Sequence, residues 1–197
     1  MEQQLDSRLV LASASLYRRT LLERLKLPFV AVAPDIDETA LAGEPAPATA
    51  LRLAYAKARA VARRLPERLI IGSDQVAECQ GIRLDKPQGH ARAVEQLRLL
   101  SGREAVFHTA VTLLNSATNR AQTEVVPTKV RFRLLSEEEI ERYLQKEPAY
   151  DCAGSAKSEG LGIALMEWIE SKDPAALIGL PLIALCTMLR NEGFALP

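Results

Sequence analysis

Leu69-Ile-Ile-Gly-Ser-Asp-Gln-Val76 is a continuous apolar run that ends in polar residues, the pattern of a strand buried on both faces. Gly72 inside it marks a place where the backbone approaches something closely. Toward the N-terminus, Leu9-Val-Leu-Ala12 repeats the pattern and is followed by Ser13 and Ser15. Leu21, Leu22 and Leu25 then fall at helical spacing, which predicts a helix from about Leu16 to Lys26 beside the strand's end. Phe29 to Val32 is a further strand, and Ala33 to Pro47 reads as loop, with the acidic pair Asp37 and Glu38 in it. Ala48 to Leu65 is an amphipathic helix. Its apolar face carries Leu51, Ala54, Ala58, Val61 and Leu65, and its other face Arg52, Lys57, Arg59, Arg63 and Arg64.

Toward the C-terminus, Gly81 between short apolar segments predicts a hairpin, and Lys86-Pro87 the entry to a helix through Leu100. After a break at Ser101-Gly102, Val106 to Leu114 and Val125 to Leu134 read as paired antiparallel strands. Val130, Phe132 and Leu134 share one face, with Lys129, Arg131 and Arg133 on the other. Ser136-Glu-Glu-Glu139 has the spacing of a capping box for a helix to about Lys146. Gly154 to Gly162 is a Gly- and Ser-rich loop, Ile163 to Ile169 a strand, and Leu180 to Asn191 a helix ended by Gly193. The fold class is α/β with a mixed sheet, mostly parallel at the N-terminal side with an antiparallel addition in the middle. Such sheets bind ligands outside the carboxyl ends of strands, which points to Ser13 to Arg19 and Ser73 to Gln75, in a central cleft between two lobes.

The 197 residues suffice for one substantial domain with its own core. Twenty-five Lys and Arg balance twenty-five Asp and Glu, so no global field draws the chain to nucleic acid or to an anionic membrane, and no aromatic-basic stripe reads as a nucleic-acid site. Three widely spaced cysteines form no C-x-x-C pair and read as thiols in a reducing compartment. Met1 to Arg8 lacks the basic-then-apolar order of a signal peptide, and Ala175 to Leu189 is short of the ~20 residues of a spanning helix. A cytoplasmic location is expected.

Ser13-Ala-Ser-Leu-Tyr-Arg-Arg19 joins hydroxyls, a helix N-terminus and two guanidiniums, an anion cradle in outline. A capping serine followed by solvated arginines is the plainer reading of the same residues. Neither a P-loop nor a dinucleotide fingerprint is present. Asp74 stands where a carboxylate binds a divalent cation or takes a proton from water, or caps a loop. Lys57 and Lys86 suit a polyphosphate, although surface lysines are usually just solvated. The acidic pair in the loop offers a hard-metal ligand. His90 and His108, the two histidines, have no motif around them, which disfavours histidine-based chemistry and leaves carboxylates as the catalysts.

Leu11-Ala-Ser-Ala-Ser-Leu-Tyr-Arg-Arg19, Asp35-Ile-Asp-Glu38, Arg52-Leu-Ala-Tyr-Ala-Lys-Ala58, Gly72-Ser-Asp-Gln75, Asp85-Lys-Pro87, Leu100-Ser-Gly102 and Gly179-Leu-Pro-Leu182 resemble the Maf family of nucleotide pyrophosphatases, in order along nearly the whole chain. The resemblance implies a single Maf-like domain over residues 1–197 with an inosine triphosphate pyrophosphatase-like fold. It further implies a divalent metal cation, Mg²⁺ or Mn²⁺, and hydrolysis of a small-molecule nucleoside triphosphate to monophosphate and pyrophosphate. Asp74 matches the family's proton acceptor, and Ser13, Arg18, Glu38, Lys57 and Lys86 its phosphate- and metal-binding residues. Leu16 stands where the family motif commonly has Pro, which a first helical turn tolerates. The family often forms homodimers.

Within the family, Tyr17, Gln75 and Glu159 are similar to the branch that acts on 7-methyl-GTP, which generally carries Trp where this chain has Tyr17. The dTTP and UTP branch resembles Arg, Thr and Gln at these positions. N7-methylation makes guanine cationic, so an aromatic ring at position 17 gains a cation–π attraction of ~0.5 to 2 kcal/mol. The Glu159 carboxylate suits guanine's N1–H and exocyclic amine. A dTTP or UTP pyrophosphatase and a non-enzymatic regulator of septum formation, the family's historical description, are the alternatives.

Overall fold

The structure is a computed structural model that describes residues 8–197. Nearly all of the N-terminal stretch read above as unlike a signal peptide therefore lies outside the described residues. Among the described residues no helix is long and apolar enough to cross a membrane. The elements in order are β1 (Leu9–Leu11), α1 (Leu16–Glu23), β2 (Phe29–Ala31), α2 (Ala46–Ala62), β3 (Leu69–Cys79), β4 (Ile82–Leu84) and α3 (His90–Leu100), then β5 (Glu104–Asn115), β6 (Arg120–Phe132), α4 (Glu137–Lys146), β7 (Met166–Ser171) and α5 (Leu182–Asn191). The strands form a seven-stranded sheet in the order β2-β1-β3-β5-β6-β7, with β4 on β3. Two compact units divide the chain, and β3, β5 and β6 supply residues to both.

Unit 1 comprises the described residues up to Asp74, with Thr109–Val126 and Asp173–Pro197. β1 pairs in parallel with β2 (Leu9 opposite Phe29) and with β3 (Leu9 opposite Leu69). Because side chains alternate along a strand, Leu9 and Leu11 share one face of the sheet and Val10 takes the other. Leu9, Leu11, Leu69 and Ile71 pack with Leu21, Leu22, Leu185, Met188 and Leu189 from α1 and α5. Val10 and Ile70 pack with Ala58 and Val61 from α2. Both faces are covered, which is why these strands are apolar throughout. Gly72 fulfils the close approach expected of it, since a Cβ there would collide with the Ala54 carbonyl and the Ala58 amide of α2.

Unit 2 comprises Gln75–His108 and Pro127–Lys172. β3 and β4 form the predicted hairpin, Ala77 opposite Leu84, and its turn residues Gln80 and Gly81 have φ of 51° and 76°, as a type I′ turn demands. β6 pairs antiparallel with β7 (Val130 opposite Ile169), with a bulge at Arg131/Phe132. The Ser136 capping box is present, with Ser136 Oγ accepting from Glu139 N and the Glu139 carboxylate accepting from Ser136 N.

Several expectations need correction. β6 ends at Phe132, so Val130 and Phe132 are buried but Leu134 is 82% exposed, with the neighbouring Leu135 buried in its place. Ile163 lies in a 3-10 turn (Leu161–Leu165), and the strand begins only at Met166. α3 starts at His90 after an extended Gly89, so Pro87 precedes the helix instead of opening it. β3 continues to Cys79, which puts Ser73 and Asp74 inside the strand, yet its neighbour β1 stops opposite Ile71, so these two residues lie beyond β1's carboxyl end. β5 and β6 are joined by four residues, a link that admits only the antiparallel arrangement expected.

Candidate active site

Lys57 contradicts its assignment to the solvated face of α2. Its side chain is 5% exposed, and Nζ donates to Asp74 Oδ1 and to Glu38 Oε2, both at 2.6 Å. A lysine is buried only when its charge is matched, and here two carboxylates from separate segments match it. Asp74 is itself 8% exposed. Burial raises its pKa, an effect opposed by the charges of Lys57 and Arg18 and by the Lys57 hydrogen bond, and reinforced by Glu38. Among the described residues only Oδ1 of Asp74 is hydrogen-bonded and no buried side-chain oxygen lacks a partner, so Oδ2 reaches solvent. The Asp74 carboxylate is thus set among polar groups with one oxygen available to water.

Glu38 comes from the loop after β2, and its half-exposed side chain leans in to Lys57. That loop is tied down locally. Asp37 Oδ1 accepts from Thr39 N at 2.9 Å, and Arg52 Nη2 on α2 donates to Thr39 O at 3.2 Å. Glu44 accepts from Arg52 Nε at 2.7 Å, Arg52 Nη2 at 2.8 Å and Thr49 Oγ1 at 2.8 Å, contacts that hold its carboxyl down to about 2.

Arg18 is on α1, whose N-cap is Ser15, the oxygen of which accepts from Arg18 N at 3.4 Å; Ser13 Oγ accepts from Ser15 N at 3.1 Å. Arg18 is therefore not a solvated arginine behind a cap. Its Nε donates to Gly179 O at 2.9 Å, while its terminal nitrogens bond no described residue. Burial lowers its pKa, and the charges of Asp74 and Glu38 oppose the shift. The open side of the guanidinium fork thus belongs to the same electrostatic group as Asp74, Glu38 and Lys57.

The residues that aim Arg18 escape a sequence reading. Gly179 holds φ of 126°, a left-handed value that favours glycine, and its carbonyl accepts from Arg18 and from the fully buried Ser73 Oγ at 2.9 Å. Asp173, 2% exposed, accepts from Ala175 N at 3.1 Å and from Ile183 N at 2.6 Å. It thereby supplies the N-terminal cap of α5 that Pro181 cannot. A glycine two residues before a proline at a helix entry was the only available signal for this platform.

Unit 1 thus assembles Arg18, Glu38, Lys57 and Asp74, with Ser13 buried at the start of α1 and Tyr17 half-buried on its first turn. The other expected site residues belong to unit 2. Gln75 is half-buried on β3, Lys86 is exposed between β4 and α3, and Glu159 is exposed in the turn Lys157–Gly160.

Among the described residues no group of three or more His, Cys, Asp or Glu forms a ready metal cage. The donor set still fits a hard divalent cation that arrives with phosphates, since Mg²⁺ is commonly held by one or two carboxylates plus substrate oxygens and water. Glu38 has its second oxygen unbonded among the described residues, and Asp74 has Oδ2.

Residues 8–192 match the family model described as Maf-like protein. The chain is 56% identical over 191 residues to the 7-methyl-GTP pyrophosphatase of Nitrosospira multiformis, covering 97% of this chain and 96% of that one. It is 60% identical over 185 residues to the protein of that name from Thiobacillus denitrificans, covering 94% and 92%. Among solved structures, a nucleoside-triphosphatase / dITP/XTP pyrophosphatase from Mycobacterium abscessus overlaps 72% of this chain and 95% of its own, at 16% identity and a TM-score of 0.42. The family model spans most of the chain and these relatives match it nearly end to end, so the chain belongs to the Maf family.

Proposed function

We infer that this protein hydrolyses 7-methyl-GTP to 7-methyl-GMP and pyrophosphate. The observation that carries the reading is its identity of 56–60% over more than nine-tenths of its length with proteins of that activity. The residues supply a rationale for the chemistry. Asp74 Oδ2 takes the proton of a water that attacks the α-phosphorus, while Oδ1 stays bonded to Lys57. Lys57 opposes the rise that burial gives the Asp74 pKa and orients the carboxylate, as a positive neighbour does for a buried acid. Arg18, with Ser13 and the N-terminal amides of α1, binds the phosphate chain, and Lys86 adds a further positive charge. Glu38, through the oxygen not bonded to Lys57, would hold Mg²⁺ or Mn²⁺ together with phosphate oxygens, and the cation would supply charge neutralisation on those oxygens. In-line positioning and electrostatics then suffice, and no covalent intermediate is required.

For the base, Glu159 accepts from the N1–H and exocyclic amine of guanine, Tyr17 stacks on the methylated cationic ring, and Gln75 contributes a donor and an acceptor. Residues 1–197 act as one pyrophosphatase domain on a free nucleotide in the cytoplasm, without nucleic acid or membrane, and a homodimer accords with this reading.

The test is incubation of the purified protein and Mg²⁺ with 7-methyl-GTP, GTP, dTTP, UTP and CTP, with both products identified. Preferential release of 7-methyl-GMP and pyrophosphate is expected. Equal turnover of dTTP or UTP would move the chain to the pyrimidine branch, and no turnover of any nucleotide would leave the regulatory reading.

A further inference from the structure

Glu159 is the third residue of a β-turn, closed by Gly160 N donating to Lys157 O at 3.0 Å. A reader of base edges on an exposed turn would be loose unless its flanks are fixed, because a carboxylate must be held to within a fraction of an ångström to discriminate. Both flanks are tied to one helix. On the near side, Lys157 N donates to Tyr143 Oη at 3.0 Å. On the far side, Glu147 Oε2 accepts from Leu161 N at 2.5 Å and from Gly162 N at 3.3 Å, and Glu147 Oε1 lies 3.8 Å from Lys157 Nζ. Tyr143 and Glu147 are four residues apart, hence neighbours at the C-terminal end of α4, whose other end is fixed by the Ser136–Glu139 capping box.

The glycines agree with a clamp at this spot. A Cβ at Gly160 would collide with the Glu147 carboxylate, and one at Gly162 with the Lys157 backbone. A side chain at Gly160 would push the Glu147 carboxylate aside, and one at Gly162 has no room against the rigid Lys157 backbone. Tyr143 is 3% exposed, and burial, with the charges of Glu147 and Glu159 adding to it, pushes its hydroxyl up to about 12. The oxygen that accepts from Lys157 thus stays neutral at working pH.

We propose that Tyr143 and Glu147 are positioning residues for substrate choice: they grip the two flanks of the Lys157–Gly160 turn and hold Glu159 in the orientation that selects a methylated guanine. This rests on Glu159 reading the base, as proposed above. Neither residue touches the reacting phosphates in this scheme, so their loss should change preference among bases more than turnover.

The experiment is the ratio of kcat/KM for 7-methyl-GTP to that for UTP in the wild type, Glu159→Gln, Glu147→Gln, Tyr143→Phe, and the two doubles that combine each α4 variant with Glu159→Gln. Glu159→Gln should lower the ratio by roughly tenfold or more, the loss of one charge-assisted hydrogen bond. Glu147→Gln should lower it by a comparable factor, Tyr143→Phe by less, and neither double should fall below Glu159→Gln alone, because the effects pass through one side chain. Tyr143→Phe removes a single oxygen and keeps the test open if Glu147→Gln does not fold. A ratio lowered in Glu159→Gln but unchanged in both α4 variants, or losses that multiply in the doubles, overturns the clamp while leaving the base reading intact. A ratio unchanged in Glu159→Gln removes the base reading and the clamp with it.

Discussion

Lys57 Nζ is 2.6 Å from Asp74 Oδ1, and the same ammonium is shared at equal distance with Glu38. One buried cation thereby aligns a carboxylate on β3 with a carboxylate from the loop after β2, leaving each with a second oxygen unbonded among the described residues. The arrangement separates a holding oxygen from a working oxygen on each acid.

Asp74→Asn should lower kcat by about 10² or more, the usual contribution of a general base. Stability should fall with it, because the buried Lys57 ammonium would keep only the half-exposed Glu38 as a counter-ion. The raised folded-state pKa of Asp74 offsets part of that cost: its own contribution to stability is fully present below the ordinary value of 3.8 and is lost as pH rises through the raised value. The urea midpoint of the variant at pH 7 should therefore lie below that of the wild type, and adding Lys57→Met should recover part of the loss. A midpoint unchanged in Asp74→Asn would show that Lys57 does not depend on this carboxylate.

The wild-type rate should fall on the acid side through a pKa above 3.8, since burial outweighs the cations around Asp74. Lys57→Met deletes one of the opposing charges, and the acid limb of kcat/KM should then move to higher pH while the plateau falls by roughly 10². A limb that stays in place under Lys57→Met would mean that another group controls it.

Glu44→Gln should lower Tm at neutral pH by loosening the loop that presents Glu38. The depressed pKa of Glu44 sets the sign: its stabilisation is present above the unfolded value of 4.5 and is lost as pH falls through about 2. The gap in Tm between variant and wild type should therefore close across that interval in calorimetric scans. A gap constant down to pH 2 contradicts the assignment.

Gly72→Ala should destabilise unit 1 by about 3 kcal/mol, the upper range for overpacking, because the added methyl meets rigid backbone of α2 and not a movable side chain. Urea denaturation measures it. Alanine tolerated at no cost would require α2 to ride further from β3 than it does.

Most of the fold was legible because its strands are apolar on both faces and its helices periodic, as at Leu9–Leu11, Leu69–Ile71 and the Ala54, Ala58 and Val61 face of α2, although Leu51, expected on that face, is 43% exposed and Leu53 is buried instead. Errors gather where a strand ends. Nothing local distinguishes Leu134 from Phe132; the chain leaves the sheet between them, and only pairing partners decide where. At the candidate site, residue types pointed to Asp74, Arg18 and Glu38, but burial did not follow from pattern. Lys57 shares a helical spacing with solvated arginines, and its environment depends on two acids 19 residues before and 17 after it. Gly179 was visible as a motif without a role, since what it offers is a carbonyl oxygen and not a side chain.

That last point bears on how the protein can change over generations. Arg18 is oriented by a main-chain oxygen, which no codon change deletes, so its aim is insulated from ordinary drift at position 179's neighbours. The exposure is concentrated in one torsion angle: φ of 126° is comfortable only for glycine. Any replacement there threatens the guanidinium from a distance, and the anchoring should be tolerant nearly everywhere along its loop and brittle at a single residue.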